Sequence, residues 1–306
     1  MIKATNILSR GEIWQLRQKS TVQGIWLVVH AWLTIAATML VYSIWPSIWL
    51  LIIGVFIVGA RQLGLAILMH DAAHGLLSPN LKLNDFVGNV FCAWPAGLTL
   101  ADYRPYHMKH HRFTQQEQDP DLILSKPFPI SKASLVRKII RDLTGITFLR
   151  LRFLQMKDAW GNNNKLGQGI KGLVIKMGGF IGLNILLLGM FASFGLTHIY
   201  FLLWLLPLAT SYQLVARIRN IAEHAVVPDN KDDFKNTRTT HANVLERIFI
   251  APYWVNYHIE HHLFVFVPCY NLKKAHQMLK EKGLLEKMEI KNSYFDVLKL
   301  ASTVLK

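Results

Sequence analysis

Eight of the thirteen histidines lie in three short clusters whose spacing suits metal binding. They are His70, His74, His107, His110, His111, His258, His261 and His262. Residues three and four positions apart share one face of a helix, about one turn from each other. If the clusters are helical, we therefore expect the three rings of a cluster such as 107–111 to converge on one point, as metal ligands do.

The number of clustered histidines indicates more than one metal ion. Imidazole binds zinc, copper, iron and nickel, so histidine alone does not identify the metal. A tetrahedral zinc ion accepts four ligands, and eight histidines are twice that number. The sequence therefore predicts two metal ions, each bound by several ring nitrogens.

The first cluster separates this chain from the membrane zinc proteases, which carry His-Glu-x-x-His with the glutamate as general base. Here Asp71 occupies the glutamate position between His70 and His74. A protease would also leave two clusters without a role. The sequence therefore argues against a protease.

The composition indicates an integral membrane protein. Of the 306 residues, 52% are hydrophobic and the mean hydropathy is positive. The net charge of +15 could suit nucleic acid. Because the basic residues flank apolar runs, however, we expect them to face anionic membrane lipids and predict no nucleic-acid partner. The two cysteines, Cys92 and Cys269, are too few for a disulfide framework.

Four apolar runs are long enough to cross a bilayer, at residues 24–45, 48–69, 173–195 and 198–216. The second leads directly into His70, so its helix must continue past the membrane surface. It contains one charge, Arg61, for which snorkelling or structural pairing is expected. Residues 86–100 are apolar but too short to span, which predicts a re-entrant or interfacial segment. Residues 131–160 have apolar residues at helical spacing beside basic residues. This pattern predicts one amphipathic helix, which lies on lipid headgroups or packs on the rest of the protein.

Basic residues set the expected orientation. They are frequent between the second and third runs, whereas the turns near Pro46 and Thr197 have none. The positive-inside rule then places regions 1–23, 70–172 and 217–306, and both termini, in the cytoplasm. The fold prediction is one all-α membrane domain over 1–306, with about four spans and a cytosolic, histidine-rich helical cap. We expect no cleaved signal, because the first twenty residues lack an apolar core.

The order and spacing of the three histidine clusters resemble the histidine boxes of the membrane fatty-acid desaturase and hydroxylase superfamily. The resemblance covers roughly residues 24–275. The combined pattern is highly specific, although each box alone would be weak. Stretches 220–225, 236–240 and 256–263 look like the bacterial-type members.

The resemblance implies a non-haem di-iron enzyme of the bacterial inner membrane that uses O2 and two external electrons to introduce a double bond into a fatty-acyl or acyl-lipid chain. It implies that the eight clustered histidines are metal ligands, with His224 as a ninth, and we assign no further catalytic residue. A separate ferredoxin or b5-type cytochrome would deliver the electrons, because no electron-transfer domain is recognisable within the sequence.

Six residues beside the ligands are candidates for orienting the rings, with surface salt bridges as the alternative role for the acids. They are Asp71, Asp119, Asp121, Glu223, Asn256 and Glu260. No metal role is expected for His30, His198 or His276, and His241 is only a weak candidate.

Two other functions compete with desaturation. A hydroxylase or ketolase acting on an alkane, sterol or carotenoid would use the same centre. A histidine-rich metal transporter is disfavoured, because transport needs polar residues inside the spans, where they are nearly absent.

Overall fold

The protein is almost entirely helical in a computed structural model that describes residues 2–161 and 166–303. The helices of the first half are α1 (Arg10–Leu16), α2 (Thr21–Ile44), α3 (Ile48–Ala73), α4 (Leu81–Val87), α5 (Trp94–Ala96), α6 (Leu100–Phe113), α7 (Leu122–Ser125), α8 (Lys132–Leu143) and α9 (Ile146–Trp160). Those of the second half are α10 (Leu166–Ser193), α11 (Thr197–Tyr200), α12 (Leu206–Ala209), α13 (Ser211–His224), α14 (Val244–Phe249), α15 (His258–Leu263), α16 (Leu272–Glu281) and α17 (Tyr294–Ala301).

Shorter elements complete the described chain. Two π-helical turns, Gly88–Ala93 and Phe201–Leu205, interrupt longer helical stretches. Single 3-10 turns are Ala4–Asn6, Pro252–Trp254, Cys269–Asn271 and Leu285–Lys287. Strands β1 (Thr239–Thr240) and β2 (Ile290–Lys291) form one parallel pair. The prediction of an all-α membrane protein is therefore confirmed.

Four helical segments are long and apolar enough to cross a membrane, as the sequence predicted: Thr21–Ile44, Ile48–Ala73, Leu166–Ser193 and Thr197–His224. Three of them extend well beyond the apolar runs. The helix α3 continues through His70, as expected. The fourth segment, formed by α11, a π turn, α12 and α13, continues to His224 because its polar end is packed in protein, where Glu223 is buried and pairs with Arg219.

Residues 131–160 form two helices, so the prediction of one amphipathic helix is wrong. The break lies at Gly145, whose φ of 77° is a left-handed conformation that glycine adopts readily. Asp142, at the end of α8, is fully buried and forms an ion pair with Arg217 of α13. This pair fixes the α8–α9 hairpin against the fourth membrane segment.

The segment predicted to be re-entrant packs against α3 beside the first histidine cluster. A Cβ on Gly88 would lie 2.3 Å from the Cβ of Ala72, so only glycine allows this approach. Asn84 Nδ2 donates to the Ala72 carbonyl at 3.0 Å, and Trp32 of α2 donates to the Phe91 carbonyl at 3.1 Å. The segment therefore supports the end of α3 that carries the first histidine cluster.

The chain before the third cluster folds back onto the membrane helices. The Tyr253 ring occupies the space left by Gly64, where a Cβ would lie 2.6 Å from the ring. The Tyr253 hydroxyl is 3.0 Å from His30 Nδ1, and the Arg61 guanidinium lies over the same ring. Arg61 also donates to the Ile248 carbonyl at 2.7 Å. These contacts connect the third cluster to α2 and α3.

Candidate metal centre

Five histidines form the first of two groups of ring nitrogens in the described part of the chain. One ring nitrogen from each lies within 4.8 Å of the others: His70, His74, His107, His111 and His261. The Nε2 atoms of His74, His107, His111 and His261 follow one another at 2.9 Å per step. The group draws on α3, α6 and α15, so all three predicted clusters contribute to it.

Four histidines form the second group, again with their ring nitrogens within 4.8 Å of one another: His110, His224, His258 and His262. His258 Nε2 is 2.9 Å from His224 Nε2 and 3.1 Å from His262 Nε2. His224 is the last residue of α13, outside the three clusters. The structure thus brings together all nine histidines that the sequence analysis and the resemblance singled out.

The sequence predicted that the three rings of a histidine triplet converge on one point, but the structure divides both triplets between the two groups. His107 and His111 belong to the first group, and His110 between them belongs to the second. At about 100° per residue, positions i and i+4 differ by about 40° around a helix, whereas i+3 and i+4 differ by about 100°. The third cluster divides in the same way, with His258 and His262 in the second group and His261 in the first.

This division places the two groups side by side. The rings of His111 and His262, one from each group, have centroids 4.3 Å apart. The neighbouring pairs His110–His111 and His261–His262 each contribute to both groups. The arrangement fits two adjacent metal ions better than two independent sites.

The donor set fits metal ions on geometric grounds. Metal–nitrogen bonds of ~2.1 Å at right angles hold neighbouring nitrogens ~3.0 Å apart, and the observed Nε2 separations are 2.9–3.1 Å. Both ring nitrogens of His70 are buried without a hydrogen-bond partner among the described residues. Such an orphaned ring is costly unless it binds something. Five nitrogens in one group also exceed the four that a tetrahedral zinc site takes.

Burial keeps these rings neutral, as metal ligation requires. Burial lowers the pKa of His74 to about 3. It also lowers the pKa values of five other ligand candidates well below their usual range, with neighbouring histidines as a further cause: His107, His111, His258, His261 and His262.

Four of the six predicted orienting residues lie against ligand rings. Asp119 accepts a hydrogen bond from His110 Nδ1 at 2.8 Å, and Asp121 lies 3.6 Å from the same nitrogen. Glu223 lies 3.5 Å from His258 Nδ1, and Asp71 lies 3.5 Å from His70 Nδ1. Of these contacts, only that between His110 and Asp119 is a hydrogen bond, and it leaves Nε2 of His110 free for a metal ion.

The other two are engaged elsewhere. The two Glu260 oxygens are held by the Thr239 hydroxyl and by His276 Nδ1. Asn256 and Thr240 exchange two hydrogen bonds of 3.0 Å, which ties the third cluster to β1. His241 stands beside His276 and belongs to neither nitrogen group.

Sequence reasoning missed several residues that hold the ligands in place. The Thr114 hydroxyl donates to the His110 carbonyl at 2.9 Å and lies 3.3 Å from His262 Nδ1. Gln115 Nε2 donates to the His224 carbonyl at 2.9 Å. Only the position of Thr114 and Gln115 directly after the second cluster could have indicated them.

Two arginines, the partly exposed Arg104 and the buried Arg238, close the helix ends that carry these histidines. Arg104 donates to the carbonyls of Ala72 and Ala73 at the end of α3. Arg238 is fully buried and donates to the carbonyls of Ala222, Ala225 and Val226 around His224. Each guanidinium satisfies helix carbonyls that would otherwise be unpaired.

Two cavities differ sharply in chemistry. One of about 1030 Å³ is lined almost entirely by apolar side chains of α2, the 87–94 segment and α10. The other, about 460 Å³, is partly polar and reaches His224, with Gln115, Ser125, Lys126 and Asn230 in its wall. The first suits a hydrocarbon chain, and the second suits polar groups.

Comparison with known proteins agrees with this centre. The profile of the family described as "Fatty acid desaturase" matches residues 46–290. The dihydrorhizobitoxine desaturase of Bradyrhizobium elkanii is 29% identical over 272 residues, covering 84% of this chain and 75% of that protein. The sn-1 oleoyl-lipid 12-desaturase of a Picosynechococcus strain is 23% identical over 276 residues, covering 82% and 72%.

Proposed function

Because the chain belongs to the fatty acid desaturase family, we propose that it introduces a carbon–carbon double bond into the acyl chain of a membrane lipid or fatty acid. Both relatives described above are desaturases, which supports a desaturase-type oxidoreduction. The observation that carries the proposal is the pair of adjacent groups of buried ring nitrogens at the ends of two membrane helices.

The reaction would take two hydrogens from neighbouring methylenes and combine them with O2, two electrons and two protons to give the alkene and two waters. Two iron ions, held by the nine histidines, would supply the dioxygen-activating redox chemistry. Asp119 and Thr114 hold His110 and His262 with Nε2 directed into the second group. Burial of the rings limits the access of bulk water to the reacting groups.

The large apolar cavity supports a hydrocarbon substrate. Its wall includes Trp32, Phe91, Trp94 and Leu183, each from a different element. A cavity of about 1030 Å³ between membrane helices has room for a long acyl chain. The carrier of that chain would be a phospholipid, another acyl lipid or a free fatty acid.

A separate protein would deliver the electrons. Exposed basic residues lie within and after the second cluster, among them Lys109, Arg112 and Lys126. They suit an acidic ferredoxin or a b5-type cytochrome. We place this face and both termini in the cytoplasm of a bacterial inner membrane, on the strength of the basic connections described above.

A second candidate is a desaturase of a smaller, polar substrate. The partly polar cavity that reaches His224 favours this candidate, and one relative is named for dihydrorhizobitoxine. A substrate bound there would approach the second nitrogen group from the polar side. Its apolar part would need no access to the large cavity.

Mass spectrometry of a host that expresses the chain with a ferredoxin system tests both candidates. Lipid and water-soluble extracts are compared between the wild type and His261→Ala. Acyl chains lighter by two hydrogens, seen only with the wild type, support the first candidate, whereas a desaturated water-soluble product supports the second. Hydroxyl or keto products would contradict desaturation, and a wild-type product pattern from His261→Ala would contradict the histidine centre.

A further inference from the structure

A narrow polar pocket reaches the point where the two nitrogen groups meet. Its volume is about 40 Å³. Its inner wall contains one histidine from each group, His111 and His262, together with Thr114 and Asn236, all four buried. Arg112 and Gln116, both exposed, and the partly exposed Asp233 form its outer wall. The pocket therefore runs from the protein surface to the ligand rings.

Two buried polar atoms in this wall have no partner among the described residues. They are Nδ1 of His111 and Oδ1 of Asn236, which belong to residues only 5% and 7% exposed. The nearby ligands differ, because His110 Nδ1 is bound by Asp119 and His262 Nδ1 lies beside Thr114. Leaving a buried donor or acceptor unpaired destabilises the folded protein, so a partner is expected at both atoms.

A polar cavity holds water when it has at least one probe volume, roughly 10–15 Å³, and two or more polar partners. This pocket meets both conditions. We propose that it binds ordered water, which accepts a hydrogen bond from His111 Nδ1 and donates one to Asn236 Oδ1. That water fixes the His111 ring with Nε2 toward the first group, as Asp119 does for His110.

The same water links the centre to solvent. The proposed reaction takes up two protons for each O2 and releases two waters, and the large cavity is almost wholly apolar. The narrow polar pocket provides a route by which protons enter and product water leaves at the meeting point of the two groups, separate from the partly polar cavity that reaches His224. The directions in which protons and water move rest on the proposed function, but the binding of water in the pocket does not depend on the substrate.

The first test is a high-resolution structure of the metal-loaded wild-type protein without substrate. We expect a water within hydrogen-bonding distance of both His111 Nδ1 and Asn236 Oδ1. A side chain that fills the pocket, or a map with no water peak between those two atoms, would overturn the inference even if the enzyme proves to be a desaturase.

The second test compares Asn236→Leu, which has a similar size but no acceptor, with Asn236→Asp, which keeps one. At unchanged metal content, we expect Asn236→Leu to lower turnover about tenfold or more and to release more hydrogen peroxide per O2 consumed. Asn236→Asp should restore most of the turnover and release little more peroxide per O2 than the wild type. Asn236→Leu with wild-type turnover and wild-type peroxide release would overturn the proposed route.

Thr237→Val is the matched control. Thr237 is adjacent and fully buried, and its hydroxyl has no partner among the described residues, but it does not line the pocket. It should behave as the wild type. A loss equal to that of Asn236→Leu would mean that any change in this segment disturbs the centre, and would overturn the specific role of Asn236. If Asn236→Leu does not fold, the structural test and Asn236→Asp decide.

Discussion

The Asp119 carboxylate joins His110 to the loop that follows the second histidine cluster. Its Oδ1 accepts from His110 Nδ1, and its Oδ2 accepts from the Gln115 backbone N–H, both at 2.8 Å. Gln115 in turn donates to the carbonyl of His224. One buried carboxylate thus connects two members of the second nitrogen group, His110 and His224, which lie 114 positions apart in sequence.

Asp119→Asn should weaken metal binding in the second group, because the amide cannot accept both hydrogen bonds as strongly as the carboxylate. Loss of such an outer partner typically costs about 10–100-fold in metal affinity or activity. Competition with a chelator measures the affinity. Asp158→Asn, at an exposed surface pair with Lys176, is the control and should change nothing. Equal affinities for the two variants would contradict this role.

His224→Ala should remove one ligand of the second group and leave the five nitrogens of the first group intact. We expect the purified variant to retain about one metal ion, because each group supplies its own set of ligands. His241→Ala is the comparison, since His241 belongs to neither group, and it should retain the wild-type metal content. Full metal content in His224→Ala would show that His224 is not a ligand.

Acid should destabilise the metal-stripped protein. The pKa of His74 falls to about 3 through burial, and burial also lowers the pKa values of His107 and His261. In the unfolded chain these histidines titrate near their usual pKa of about 6.5. Below that pH, the unfolded chain therefore binds protons that the folded chain does not bind. Stability is therefore full above pH ~6.5 and falls toward pH ~3.

Thermal unfolding of the metal-stripped protein across this pH range measures that effect. The melting temperature should be level above neutrality and drop on acidification. A melting temperature that rises as the pH falls would contradict the assignment of buried neutral histidines.

Gly182→Leu should shift the enzyme toward shorter acyl chains. Gly182 lines the large apolar cavity, and a Cβ there meets no atom within 4 Å, so the larger side chain enters the cavity without a backbone clash. Each displaced methylene costs about 0.8 kcal/mol, or roughly fourfold in affinity. Gly189→Leu is the control on the same helix, outside the cavity wall. An unchanged product profile would contradict the assignment of this cavity as the binding site of the acyl chain.

The sequence predicted the parts of this protein that depend on local spacing and apolar length. It predicted four membrane segments, the continuation of α3 into His70, and the helical form of the second cluster. Where it was wrong, local rules gave way to tertiary packing. Gly145 breaks the 131–160 helix, and α13 extends because buried protein rather than solvent surrounds Glu223.

The division of the clusters into two groups required the fold. Spacing alone shows that His107, His110 and His111 share a side of a helix, but which ring meets which partner depends on where α3, α13 and α15 approach. The role of Gln115 could not be predicted from spacing, because it comes from a hydrogen bond to His224, which is distant in sequence. Asn236 was noted only as part of the 236–240 stretch that resembles bacterial-type members, and its place in the wall of the narrow pocket required the fold. The resemblance to a known family, rather than spacing, singled out His224.

Metal content of the purified wild-type protein, after expression with excess iron, tests the central claim most directly. Two adjacent groups with five and four buried ring nitrogens predict two metal ions per chain, with both lost only when the shared clusters are altered. Elemental analysis against protein concentration gives the number. Two ions per chain would agree with the dinuclear centre, and a saturating content of one ion per chain would contradict it.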